Sequence, residues 1–159
     1  MLNIVSKRHI LTAIQRHSVS KLLKRKLSLI VRIMKILHGI DLVDCPRIEQ
    51  MLERHGSHFL DRVFTQTEQK QASEVKNRIE KLSGRFAAKE AVLKLLGTGW
   101  RGKIAWTDIE VVNNPLGQPQ VNLSGEVEKI AKQMKIGQIS LSISHTANFV
   151  MASAMAIVE

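Results

Sequence analysis

The chain has 159 residues, enough for one domain with a hydrophobic core and too few for two domains of ordinary size. Apolar residues make up 44% of the sequence, which excludes a wholly disordered protein, and the single cysteine excludes both a disulfide framework and a cysteine-rich metal cluster. The net charge of +10 is compatible with nucleic-acid binding, but aromatic residues make up only 4% and tyrosine is absent, so little stacking on bases is expected.

The positive charge is concentrated at the N-terminus. Eight of the 24 Lys and Arg residues and none of the 14 acidic residues lie in 1–33, which leaves residues 34–159 with a net charge of only +2. A nucleic-acid-binding protein that uses this basic arm is therefore the alternative function, and removal of the arm should then abolish it. Because the rest of the chain is nearly neutral, we expect no nucleic-acid partner.

Three interpretations of the segment 1–33 are open. It is an organelle transit peptide, a basic arm for an anionic partner, or sequence translated upstream of a true start at Met34. It lacks the continuous apolar run of a secretory signal, and the single cysteine fits a reducing compartment, so we expect a cytoplasmic protein. We favour the third interpretation because Met34 directly precedes the first strand pattern, and we expect an N-terminal extension at 1–33 and a domain at 34–159.

The domain alternates strand and helix patterns. Residues 35–43 alternate as a strand, and Asp44 followed by Pro46 predicts a helix that ends near Gly56. The later predicted elements are helices at 57–63, 67–75 and 77–96, a hairpin of 108–113 with 120–123, a helix at 125–135, and strands at 138–144 and 149–158. This mixture, with antiparallel pairing available, predicts an α+β fold.

The segment 136–158 has the length of a membrane span but not its composition. It carries eight polar side chains, too many for burial in hydrocarbon, so we expect no membrane partner. Its apolar residues supply more surface than one short helical layer covers. Because a small domain buries a limited core alone, we expect the chain to assemble with copies of itself.

A carboxylate interrupts the apolar face of the longest predicted helix. At 100° per residue, Glu90 falls inside the stripe formed by residues such as Phe86 and Leu93. A buried carboxylate is costly unless it is paired or binds a metal. Lys94 lies one turn further on, so the simplest interpretation of this helix alone is a Glu90–Lys94 ion pair at the edge of the core.

A second carboxylate, Asp41, interrupts the first strand on the same face as Val43. One such acid is compatible with a satisfied core group. Two acids on the buried faces of two regular elements favour a shared divalent cation, and Mg²⁺ binds through one or two carboxylates. Arg85 and Lys89 of the same helix would neutralise phosphate oxygens, which indicates phosphoryl chemistry, and the alternative for both is a solvated helix flank.

Other polar features are less specific. His145 ends a strand with alternating serines and would bind phosphate or transfer a proton, although a lone histidine there is also an ordinary polar strand end. A nucleotide-dependent phosphotransferase is a further alternative, but the sequence has no Gly-rich loop ending in Gly-Lys-Ser/Thr.

Five motifs match one protein family in order and spacing. They are Gly39-Ile-Asp-Leu-Val-Asp44, Phe64-Thr-x-x-Glu68, Arg85-Phe-Ala-Ala-Lys-Glu-Ala91, Leu96-Gly-Thr-Gly99 and Ser142-Ile-Ser-His145. Through them, residues 34–159 resemble the holo-acyl-carrier-protein synthases, whereas 1–33 has no counterpart. The resemblance implies the 4′-phosphopantetheinyl transferase fold, in which an antiparallel sheet packs with a long helix, and assembly as a homotrimer.

The resemblance also implies a reaction. The 4′-phosphopantetheine arm passes from coenzyme A to a serine of apo-acyl carrier protein, in fatty acid biosynthesis, and adenosine 3′,5′-bisphosphate is the by-product. Arg47, in the helix after the first strand, matches the family position that meets the acidic carrier protein.

The family's site residues carry over to positions already noted. Asp41 and Glu90 would bind Mg²⁺ and act as the catalytic residues. Coenzyme A would be bound by Lys94 at the pyrophosphate, by Arg85, and by His145 near the nucleotide end. The attacking serine would lose its proton to Asp41, to Glu90 or to a metal-bound water.

Overall fold

The computed structural model describes residues 20–25 and 35–158. Residues 20–25 are helical and belong to a different compact unit from residues 35–158. Apart from 20–25, the predictions about the basic segment 1–33 and about a start at Met34 fall outside the described residues. Within the described ranges, no helix combines the length and the apolar character needed to cross a membrane.

An antiparallel sheet of three strands forms the centre of the unit, in the order β1-β5-β4. Strand β1 is Lys35–Asp44, β4 is Ile136–His145 and β5 is Phe149–Val158. A separate hairpin pairs β2 (Ile109–Asn113) with β3 (Pro119–Leu123). The predicted strands, the hairpin and the α+β class are therefore confirmed.

Within residues 35–158, four helices accompany the sheets, together with a short 3-10 helix at Trp106–Asp108. They are α1 (Cys45–Val63), α2 (Gln66–Ser73), α3 (Arg78–Leu95) and α4 (Gly125–Gln133). Helix α1 is kinked at Gly56, whose φ of 52° is in the left-handed region. The two predicted helices that meet at Gly56 are thus the two halves of one kinked helix.

The start of α2 differs from the prediction. The structure places the N-cap at Thr65, two residues before the predicted start at Thr67. The Thr65 hydroxyl accepts a hydrogen bond from the Glu68 N–H at 3.3 Å, and the Glu68 carboxylate accepts one from the Thr65 N–H at 2.8 Å. This reciprocal capping box determines where the helix begins, because it satisfies two N–H groups at the helix start.

Helix α3 packs on one face of the three-stranded sheet. The close packing is possible because small residues face the sheet, and Ala87, Ala88 and Ala91 are fully buried. The opposite face of the sheet is exposed and apolar. It carries Ile36, Ile40, Leu42, Phe149, Met151, Met155 and Ile157.

Candidate active site

Strand β1 and helix α3 bring Asp41, Glu90 and Lys94 together. The Lys94 Nζ donates a hydrogen bond to Asp41 Oδ1 at 2.7 Å. The Asp41 side chain is 15% exposed and the Lys94 side chain 51%, so the ion pair lies at the surface end of the site. Glu90 lies one turn before Lys94 in α3 and is half-buried. The predicted proximity of the two carboxylates is present, but the ion pair of Lys94 is with Asp41 and not with Glu90.

The two carboxylates interact electrostatically. Burial raises the pKa of the Glu90 carboxyl, and the neighbouring Asp41 charge raises it further, while Lys94 and Arg47 act in the opposite direction. Arg47 is exposed at the start of α1, close enough to affect this site. Two acidic groups that repel each other in a partly desolvated place would be stabilised by a cation between them.

This pair of oxygen donors fits Mg²⁺. Mg²⁺ binds proteins through one or two carboxylates and takes its remaining ligands from water or from substrate phosphates. Among the described residues there is no cluster of three or more His, Cys, Asp or Glu side chains that would hold a metal by itself. Asp41 and Glu90 by themselves would therefore leave most coordination positions of a bound Mg²⁺ to water or to substrate.

Lys89 lies neither at a phosphate-binding position nor on a solvated helix flank, the two alternatives that the sequence left open. Its side chain is fully buried and its Nζ forms an ion pair with Glu68 at 2.8 Å. The same Nζ donates to the carbonyl oxygens of Val63 at 2.8 Å, Trp106 at 3.1 Å and Ile109 at 2.6 Å. Burial lowers the pKa of Lys89 and the Glu68 charge counteracts this. Both the solvated flank and the phosphate contact are wrong for Lys89, because α2 and β2 cover this side of α3.

Arg85 is also buried, with 3% of its surface exposed, so the solvated-flank alternative is wrong for it too. Its Nη2 donates to Asn113 Oδ1 at 2.5 Å and to Gln71 Oε1 at 3.2 Å, while its buried Nε has no partner. Burial lowers the pKa of Arg85, and the Glu68 charge opposes this. A buried guanidinium that meets only neutral acceptors retains the capacity to bind an anion.

Lys81 was not identified from the sequence. It lies one turn before Arg85, and its Nζ donates to the same Asn113 oxygen at 3.4 Å. Burial and the charge of Arg85 both lower the pKa of Lys81. The spacing of four residues between two cations on one helix face was the available signal.

Arg85, Lys81 and His145 line one open cavity of about 250 Å³. The cavity lies between α3, the β2–β3 hairpin and the end of β4. The His145 Nδ1 is 3.3 Å from Glu80 Oε2 at its edge. Two predicted coenzyme A contacts, Arg85 and His145, are thus brought together with Lys81, and Glu80 is the one carboxylate among the residues that line the cavity.

Helix α3 separates this cavity from the two carboxylates. Arg85 and Glu90 are five residues apart, which corresponds to about 140° around a helix. In the sheet, Asp41 is on the edge strand β1 and His145 on the opposite edge strand β4, with β5 between them. The chain therefore presents the acidic group, with Lys94, and the cationic cavity on different sides of α3.

Comparison with known proteins identifies the family. The model of the 4′-phosphopantetheinyl transferase superfamily matches residues 38–153, which include both groups of site residues. The chain belongs to the holo-[acyl-carrier-protein] synthase family of 4′-phosphopantetheinyl transferases. The resemblance inferred from the five motifs and the enzyme class are thereby confirmed.

Individual family members agree with this assignment. The chain is 44% identical over 124 residues to the holo-[acyl-carrier-protein] synthase of Caldanaerobacter subterraneus subsp. tengcongensis, a match that covers 78% of this chain and 96% of that protein. The crystal structure of the Neisseria meningitidis synthase superposes with a TM-score of 0.70 at 31% identity, covering 76% of this chain and 96% of the other. The Helicobacter pylori synthase in complex with coenzyme A gives 0.67 at 31% identity, covering 76% and 99%.

Proposed function

We propose that this chain transfers the 4′-phosphopantetheine group from coenzyme A to the serine hydroxyl of an apo-acyl carrier protein of fatty acid biosynthesis, with Mg²⁺ bound by Asp41 and Glu90. The observation that carries the proposal is the proximity of these two carboxylates in a chain of the synthase family. The Helicobacter pylori relative was crystallised with coenzyme A, and the relatives are named for their carrier protein. We also infer a cytoplasmic location, because the single cysteine fits a reducing compartment.

Asp41 and Glu90 would hold the metal ion through one or more carboxylate oxygens each. When bound, Mg²⁺ would neutralise pyrophosphate oxygens and stabilise the charge that develops on the leaving nucleotide. Lys94 supports this arrangement from the solvent side, since its exposed ammonium can exchange the Asp41 oxygen for a pyrophosphate oxygen. Arg47, exposed at the start of α1, would bind the acidic carrier protein through charge complementarity.

The cationic cavity suits a further phosphate of the same substrate. Coenzyme A carries a pyrophosphate and a separate phosphate on its nucleotide, and the pyrophosphate belongs next to the carboxylates. Arg85, Lys81 and His145 supply donors for the second phosphate. Because α3 separates the two places, one coenzyme A molecule contacts both only if a neighbouring subunit provides one of them.

We therefore propose a homotrimer with active sites between subunits, as the family resemblance implies. The exposed apolar face of the sheet supports this proposal, because a contiguous apolar surface of this kind is typical of an interface. In a cyclic arrangement each subunit would give Asp41 and Glu90 to one site, and Arg85 and His145 to the next.

The test is a transfer assay with the full chain, coenzyme A, Mg²⁺ and an apo-acyl carrier protein, followed by intact mass spectrometry. We expect the carrier protein to gain one phosphopantetheine group, and none when Mg²⁺ is removed by a chelator. The absence of any mass gain with several freshly prepared apo-carrier proteins would contradict the proposed reaction. Transfer that continues in chelator would contradict the metal site alone.

A further inference from the structure

Gly39 lies in β1 directly beneath helix α3. A Cβ atom built at Gly39 would overlap the carbonyl oxygen of Ala91 and would lie 2.5 Å from the backbone nitrogen of Leu95. Both are main-chain atoms of α3, so rotation of a side chain cannot relieve the contact. Gly39 is not among the glycines with positive φ, so its backbone conformation is open to any residue. The absence of a side chain at Gly39 is required by the close approach of the helix.

The close approach occurs beside the acidic group. Ala91 follows Glu90 in the chain and Leu95 follows Lys94. On the strand side, Asp41 is two residues after Gly39 and so lies on the same face of β1, about 7 Å further along. The contact at Gly39 therefore sets the separation of β1 and α3 at the turn of the helix that carries Glu90 and Lys94.

We propose that Gly39 is a positioning residue for the divalent cation site: without a side chain at this position, α3 lies close enough to β1 for Asp41 and Glu90 to bind one metal ion. The inference rests on the proposed function, because it takes the two carboxylates as the metal ligands. Gly39 itself contacts neither metal nor substrate. Its effect is exerted through the distance between two backbone segments.

The size of the effect follows from contact distances. An ordinary contact of a carbon atom is about 3.5 Å, so relief of the closer overlap, that with the Ala91 oxygen, would require α3 and β1 to separate by more than about 1 Å. Mg²⁺ needs near-ideal octahedral geometry, and metal sites tolerate deviations of only about 0.2 Å in ligand distance. On the side away from β1, the buried Lys89–Glu68 pair holds α3 in place. This pair opposes any further shift of the helix that would restore the spacing between Asp41 and Glu90.

The chain provides a matched control for a glycine-to-alanine change in the same sheet. Gly137 lies in β4, has no positive φ, and has no atom within 4 Å of a Cβ built on it. Gly137→Ala therefore adds the same methyl group to a strand without any steric contact. Gly137 is exposed and lies where the β4–β5 register shifts, so this control adds the methyl group to the same sheet without any contact with α3.

The experiment measures binding of Mn²⁺, as a probe for Mg²⁺, to the full chain by electron paramagnetic resonance in the presence of coenzyme A, with a protein-free blank. Gly39→Ala is expected to keep the circular dichroism spectrum and to raise the Mn²⁺ dissociation constant at least tenfold, while Gly137→Ala leaves it unchanged. In the transfer assay the half-saturating Mg²⁺ concentration should rise for Gly39→Ala, with the KM for the carrier protein unaltered.

A second variant tests the spacing without disturbing the packing at Gly39. Asp41→Glu moves the carboxylate by about 1.5 Å, one carbon–carbon bond, and should also weaken Mn²⁺ binding at least tenfold. In the double variant that combines Gly39→Ala with Asp41→Glu, the longer side chain spans the wider gap between β1 and α3. The double variant should therefore bind Mn²⁺ more tightly than Gly39→Ala alone. If Gly39→Ala does not fold, the result for Asp41→Glu decides the question.

The possible failures are distinguishable. A wild-type chain that does not bind Mn²⁺ would overturn the proposed metal site, and this inference with it. The second failure is that the wild-type chain binds Mn²⁺ and that Gly39→Ala, or Asp41→Glu, binds it with the same affinity. This result would overturn the positioning role of Gly39 and leave the proposed function standing.

Discussion

The ammonium group of Lys89 lies 2.8 Å from the carboxylate of Glu68, and neither side chain is exposed to solvent. Glu68 also accepts hydrogen bonds from the backbone N–H groups of Thr65 and Val111, at 2.8 and 2.9 Å. With the three carbonyl oxygens that accept from Lys89, both charges are fully hydrogen-bonded away from water. The pair therefore connects α2 and β2 to the middle of α3, one residue before Glu90.

Lys89→Met is expected to destabilise the fold rather than to weaken phosphate binding. It leaves Glu68 charged and buried without its partner, a change that costs about 3–5 kcal/mol of unfolding free energy. Urea denaturation measures this, with Lys94→Met as the control. Because Lys94 is half exposed, its replacement should leave the urea midpoint nearly unchanged and weaken coenzyme A binding instead. A Lys89→Met protein of wild-type stability that has lost coenzyme A affinity would instead make Lys89 a phosphate ligand.

Glu90→Gln is expected to reduce turnover about 10²-fold or more, the size of effect seen when a group that stabilises transition-state charge is removed. The substitution keeps the shape of the side chain and removes the charge that would hold Mg²⁺. Thermal stability should not fall, because a partly buried charge beside Asp41 is removed. The measurement is kcat at saturating substrates, with Glu128→Gln in α4 as the control. Full activity in Glu90→Gln would leave Glu90 with a structural role only.

Lys81→Met is expected to raise the dissociation constant for coenzyme A roughly tenfold, since a charge-assisted hydrogen bond contributes about 1.5 kcal/mol. Lys81 and Arg85 share the Asn113 oxygen at the edge of the same cavity, so the loss of one cation weakens anion binding there. Isothermal titration calorimetry measures the constant, and kcat at saturating coenzyme A should change little. Lys129→Met in α4 serves as the control, and equal affinities in the two variants would exclude Lys81 from the site.

Two variants, each impaired in a different half of the site, are expected to restore activity in each other at subsaturating coenzyme A if the sites lie between subunits. One variant carries Glu90→Gln and the other His145→Ala, and the two are mixed, dissociated and reassembled. In a cyclic trimer with random exchange, about a quarter of the interfaces then combine two intact halves. Light scattering should give three times the monomer mass. An active monomer, or the absence of any recovered activity in mixed trimers, would confine the site to a single chain.

A chain that begins at Met34 is expected to fold and to keep its specific activity. Residues 35–158 form a compact unit, and the family match begins at residue 38. The comparison is with the full chain, by circular dichroism and by the transfer assay under the same conditions. Loss of solubility or of activity on removal of 1–33 would show that this segment belongs to the enzyme.

The sequence by itself was enough to predict the α+β fold class and to single out Asp41 and Glu90 as carboxylates on apolar faces. Strand and helix periods are local properties, so β1 and α3 were predicted with nearly their observed bounds. Asp41 and Glu90 were recognisable because each interrupts an apolar face, which is costly without a ligand or partner. The Glu90–Lys94 pair, which was the interpretation of the helix alone, was wrong because it left out the strand that carries Asp41, the observed partner of Lys94.

Only the tertiary structure decided the partners of the other charged residues. Lys89 and Arg85 lie at the edge of the apolar stripe of α3, and a helical period alone leaves open whether such an edge meets solvent or another element. Helix α2 and strand β2 cover that edge, and these contacts join residues more than ten positions apart in the chain. The role inferred for Gly39 has the same origin. A missing side chain has no periodicity of its own, and its consequence depends on which backbone segment packs above it.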